Sequence, residues 1–230
     1  MDLNELASAC HLYNNKTNFD DSYIAFLNST GSALDLYNSG HRKALLTWLN
    51  RWACRQFIIA YHDFASEQIL KWYINLNSLL PEKSKNIWEL DDNDFDKIKM
   101  LYDTLSNTQV AKKTKNQKEV INHAGPTGAS KILFALRPKS LILWDGKMRD
   151  EFGKGKDSLT YINYLQKAKQ DAKELLKHCK LNGFALEELP EKIKRPYSTI
   201  PKILDEYQWI TITKGWQVPK LNKFIKIDDE

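Results

Sequence analysis

The chain has 230 residues, with 34 Lys and Arg against 29 Asp and Glu for a formal charge of +5, and 42% hydrophobic residues supplemented by seven Trp and ten Tyr. That length buries one substantial core or two small lobes without a disulfide or metal staple. The basic balance favours anionic partners, and no apolar run reaches membrane-spanning length. A short amphipathic helix and a Gly/Ser turn are expected from about Phe19 to Leu36. From Lys43 to Phe64, Leu45, Leu46, Trp48, Leu49, Trp52, Phe57, Ile58 and Tyr61 recur at helical intervals and read as core. Glu67 to Leu79 adds a helix interrupted by Pro81, and Ile87 to Leu105 adds another. Asn107 to Lys118 is the most polar connection, whose Lys112, Lys113, Lys115 and Lys118 fit either a solvated linker or a phosphate-facing approach. A further helix is expected across Leu159 to Cys179, with Ile162, Leu165, Leu175 and Leu176 on its apolar side. Pro201 to Trp209 opens a last small helix, because proline suits a first turn. Trp209 to Thr213 has the alternating, β-branched character of a strand, and Gln217 to Ile227 either pairs with it or packs as an irregular tail. The expectation is a mainly α protein of two tightly associated helical lobes, 1–110 and 111–230, with a small C-terminal β element.

The segment from Gly125 to Arg149, GPTGASKILFALRPKSLILWDGKMR, is the most informative. Gly125 and Gly128 permit a tight backbone path, and Thr127 or Ser130 can cap the helix that follows. Amides at such a helix start can bind a phosphate, although a plain turn between two core helices has the same sequence signature. Pro138 stops the helix, and an apolar step then leads to Trp144 and Asp145 at the start of the next one. Cleavage of an N-glycosidic bond builds positive character on the sugar, which a carboxylate such as Asp145 stabilises while orienting water. An Asp at a helix start is equally an N-cap. Trp144 reads as the wall of a base pocket or as core, and His123 as a pocket residue or a local packing contact. Lys147 and Arg149 suit the DNA backbone or plain solvent.

These residues resemble the helix-hairpin-helix DNA glycosylase superfamily. GPTGASKILFALRP is similar to its hairpin segment, and LILWD to the approach to its aspartate. The resemblance implies a hairpin gripping duplex DNA through Gly125, Thr127, Gly128, Ser130 and Lys131, and Asp145 serving the flipped nucleotide. Lys131 also raises a second mechanism in which its amine attacks the sugar and forms a Schiff base. No four-cysteine loop of the iron-sulfur subfamily is present.

Elsewhere, Trp48 and Trp52 lie four residues apart on one helix face, and Asp205 and Glu206 are helix-surface charges or a second acid near the site. Cys10, Cys54 and Cys179 are widely spaced, and the His62, Asp63, Glu67 group lacks metal-ligand spacing, so neither metal nor cofactor is expected. The cysteine usage and the acidic start MDLNELASAC point to a cytoplasmic protein. The leading expectation is a monofunctional DNA glycosylase acting on double-stranded DNA that carries a damaged or modified base. A non-catalytic nucleic-acid-binding protein and a structural, protein-interaction role remain as alternatives.

Overall fold

The computed structural model describes residues 1–31, 33–115, 118–153 and 155–219, with only the backbone described at 113–115 and 118–119. Among them ten α-helices and one two-stranded sheet make a mainly helical protein, with 67% of residues in helix. First come α1 (Leu3–Lys16), α2 (Phe19–Thr30), α3 (Ser39–Arg51), α4 (His62–Leu76) and α5 (Asp92–Ser106). A hairpin of β1 (Gln109–Lys115) and β2 (Lys118–His123) leads into α6 (Gly125–Leu136), α7 (Gly146–Glu151), α8 (Ser158–Leu181), α9 (Leu189–Lys192) and α10 (Ile200–Gln208).

Short polar side chains set the helix starts by accepting from first-turn amides. Asp2 does so for α1, Asn38 for α3 and Asp157 for α8. Asp91 and Asp94 form a reciprocal box at α5, each accepting from the other's amide at 2.9 Å. In α8 the buried Tyr161, Leu165, Ala168, Ala172, Leu175 and Cys179 follow at alternating four- and three-residue steps, which lays one stripe against the core. Buried apolar side chains from Leu3 to Leu204 form one contiguous cluster, so residues on both sides of position 110 share a core. Among the described residues, no helix is long and apolar enough to cross a membrane.

Four expectations are corrected. The helical pattern from Lys43 to Phe64 is broken: α3 stops at Arg51, Ala53 takes a φ of 61°, and α4 begins at His62. The buried Trp52, Cys54 and Phe57 prolong the apolar pattern through a turn that is not helical. The polar stretch after Asn107 is strand, because Val110 and Ala111 are buried and pack β1 against α4 while β2 pairs antiparallel with it. What precedes Gly125 is therefore a strand, so the turn there joins a strand to a helix and not two helices. Trp209–Thr213 is a π-helical turn continuing α10, not a strand. There Lys214 N donates to Trp209 O at 3.0 Å, the Thr211 hydroxyl donates to Tyr207 O at 2.9 Å, and packing of Trp209 and Ile210 overrides the β-branched preference. Of the proposed pairing segment, 220–227 lies outside the described residues.

Candidate active site

Gly125 has a φ of 65° and nothing within 4 Å of where a Cβ would sit, so it serves the backbone reversal from β2 into α6. Gly128 serves packing instead. A Cβ there would lie 2.8 Å from Gln56 Nε2 and 2.9 Å from Phe57 Cε2. Gln56 in turn donates to Ala124 O at 2.6 Å, which pins the segment after α3 against the start of α6. Gly128 is buried in that contact and is not presented to a phosphate. Ser130, also expected at the DNA, is fully buried. Its hydroxyl donates to Thr127 O at 3.1 Å and accepts from Trp144 N at 3.4 Å, tying the approach to Asp145 onto α6.

Lys131 is 8% exposed, and its Nζ donates to Trp52 O at 2.6 Å and lies 5.3 Å from the Trp52 ring centroid. The carbonyl is free to accept because α3 ends one residue earlier. Lys131 is thus a cavity group, not a backbone-phosphate contact. Asp145 is the N-cap of α7 and a cavity residue at once. One carboxylate oxygen accepts from Met148 N at 3.0 Å and the other from the Thr213 hydroxyl at 2.8 Å. Trp144 is 1% exposed, donates from Nε1 to Pro126 O at 3.2 Å, and packs with Tyr102, Tyr161 and Tyr164 while still bordering the cavity. Arg149 donates to the Thr127 hydroxyl at 2.6 Å, and its guanidinium carbon lies 5.7 Å from the Trp144 ring centroid, so it joins α7 to α6.

These elements line an open cavity of about 270 Å³. Lys131, Asp145 and Asp205 supply its amine and carboxyl groups, Thr127 borders it, and Tyr13, Phe19, Trp52, Trp144 and Trp209 supply ring walls. Behind α10 lies a buried ionic cluster. Arg195 pairs with Asp20 and with Glu206 at 2.7 Å, while Lys202 pairs with Glu206 at 2.7 Å and Asp20 at 3.4 Å. Burial opposes the charge on Lys202, but Glu206, Tyr13, Asp20 and Asp205 overcome it and hold the ammonium well above the ordinary lysine range. Lys202 also lies 4.4 Å from the Tyr13 ring centroid and 5.3 Å from that of Trp52, placing positive charge behind two of the walls.

The fold thus brings Thr127, Lys131, Trp144 and Asp145 to one cavity. It does not bring His123, exposed at the end of β2, or Lys147, exposed in α7. Sequence reading left Trp52 between core and a base cage, and missed Trp209 as a cavity wall and Thr213 as the partner of Asp145. The break after α3 and the π-helical turn, which position them, carry no periodic signal. Asp205 is the acid that sequence left open. Among the described residues, no three His, Cys, Asp or Glu side chains gather as a metal-binding group. Comparison with family models, curated proteins and solved structures finds no match to this chain.

Proposed function

We propose that the chain is a DNA glycosylase that cleaves the N-glycosidic bond of a base extruded into this cavity. The observation that carries the reading is a single cavity in which the carboxylate of Asp145 and the amine of Lys131 sit among indole walls. As the bond breaks, positive character grows on the sugar, and a carboxylate held by two hydrogen bonds meets that charge without reorienting. Trp52, Trp144 and Trp209 offset the stacking that an extruded base loses. The volume lies just below the range of about 300–1,000 Å³ typical of small-molecule sites, a size suited to one base. The net charge of +5 supports attraction to phosphate.

Water activated beside Asp145 gives the monofunctional reaction. The position of Lys131 favours a second course. Its nitrogen bonds to sugar carbon 1, the base leaves with the electrons of the glycosidic bond, the nitrogen loses a proton, and the sugar ring opens to an imine that leads to strand cleavage. Incubation with duplexes carrying alkylated, oxidised or deaminated bases is expected to yield alkali-labile abasic sites. Asp145→Asn should lower that yield by about 10²-fold or more, the scale of losing one transition-state contact, while retaining the helical circular-dichroism spectrum. Borohydride trapping of a protein–DNA adduct, abolished in Lys131→Gln, selects the lyase course. Abasic-site formation unaffected by Asp145→Asn, or absent across the whole panel, refutes the proposal. Salt-dependent duplex binding without abasic sites then assigns the chain to non-catalytic nucleic-acid binding.

A further inference from the structure

Asp205 sits on α10 facing the cavity and is 6% exposed. The neighbouring donors bond other acceptors. Lys202 donates to Glu206, Lys131 donates to the Trp52 carbonyl, and Thr213 donates to Asp145. Among the described residues nothing hydrogen-bonds the Asp205 carboxyl, so a nearly buried polar group faces the cavity without a protein partner. Such a group costs stability unless a ligand completes it.

We propose that Asp205 is the specificity-determining group of the cavity, its carboxyl hydrogen-bonding the edge of an uncharged base that carries a donor beside an acceptor. The proposal rests on the glycosylase reading for its biological ligand, but not for the chemistry of recognition. Burial drives the carboxyl up to about 7, with Asp145 and Glu206 adding to the rise and Lys202 and Lys131 opposing it. The buried Tyr13 and Tyr164 lie within reach of its charge, and their own ionisation is suppressed by desolvation first and by Asp205 among the neighbouring charges. A cationic, ring-alkylated base is disfavoured for a separate reason. Lys131 in the cavity and Lys202 behind it each stand 5.3 Å from the Trp52 ring centroid, so their positive charge opposes a cationic guest at that wall.

The amide of Asp205→Asn offers a donor beside an acceptor at every pH, whereas Asp205→Ala offers neither. Free hypoxanthine, adenine and 8-oxoguanine serve as probes, read by quenching of tryptophan emission. Wild-type affinity for the bound probe should fall about tenfold between about pH 5.5 and about pH 8, as the competent protonated fraction falls. Asp205→Asn should bind equally at both pH values, and Asp205→Ala at least about tenfold more weakly at pH 5.5. Circular dichroism checks that each variant is folded. Wild-type binding that ignores pH, Asp205→Asn binding as weakly as Asp205→Ala, or no binding of any probe overturns the assignment. In duplexes, hypoxanthine should be excised in preference to 7-methylguanine, with Asp205→Asn exceeding wild type at alkaline pH; the reverse preference also overturns it. Probe binding with the expected pattern but no excision from any duplex keeps Asp205 as a base reader and removes the glycosylase reading. Excision independent of Asp205 does the opposite.

Discussion

Replacing Asp205 by Asn should stabilise the protein at alkaline pH, an effect separable from any activity. The folded environment raises this carboxyl from an ordinary 3.8 to about 7, chiefly by desolvation. A raised carboxyl means that the native state holds the proton more tightly than the unfolded chain does. Its stabilising contribution is complete below the unfolded value and is lost as pH rises through the folded one, so the relevant window runs from about pH 4 to about pH 7. A rise of roughly three units at 1.36 kcal/mol per unit corresponds to about 4 kcal/mol lost across that window. This is a large share of a typical stability of about 5–15 kcal/mol. The neutral amide escapes the loss. Guanidinium chloride unfolding of wild type and Asp205→Asn should therefore coincide near pH 4 and diverge with rising pH, reaching a plateau above pH 7 with Asn the more stable. The difference between the two proteins cancels the titration of Asp20 and the other shared acids. Equal slopes with shifted midpoints would show that stability and not compactness has changed. A difference that stays flat from pH 4 to pH 8, or Asn the less stable at pH 8, refutes the electrostatic picture of the cavity.

Gly128→Ala should destabilise by about 1–3 kcal/mol through overpacking, because Phe57 is 1% exposed and has little room to withdraw from a Cβ at 2.9 Å. Better helix propensity returns about 1 kcal/mol of that, and a thermal melt at or above wild type would show that α6 is not pinned there. Lys202→Met should cost about 3–5 kcal/mol by leaving Glu206 and Asp20 to a single cation, Arg195. Adding Glu206→Gln should recover part of the loss, and denaturant unfolding in which the two substitutions simply add would argue against their coupling.

Sequence periodicity is legible where burial follows a helix stripe, as in α8 and at the proline-opened α10. It fails where burial continues without the helix. Trp52, Cys54 and Phe57 stay in the core through a turn, so their spacing imitates a helix that has already ended. The β1 strand is hidden for the converse reason, since its lysines dominate the composition while Val110 and Ala111 anchor it to α4. In the site, Asp145 is legible because the Asp-Gly step after an apolar run marks a helix start. Lys131 is not. Every residue from Gly128 to Leu136 is buried, so α6 has no polar face from which the direction of one lysine can be read.

Helix geometry explains why one acid of α10 faces the cavity unpaired while its neighbour is fully paired. Residues four apart share a helix face, and Lys202 accordingly meets Glu206 at 2.7 Å. Asp205 is turned about 100° from Glu206, away from Arg195 and toward Asp145, Lys131 and Trp209. A carboxyl in that position is a stability defect that simple core packing would remove, and Asn at residue 205 would remove most of it with almost no change of shape. Stability lost at a site is commonly linked to what the site binds, which is the role proposed above for this carboxyl. Asp145, by contrast, stabilises α7 as its cap and needs no ligand to justify its place, so the Asp145→Asn activity loss must be judged against a folded control. Of the two carboxyls, the unpaired one is the more direct physical argument that this cavity is built around a polar guest.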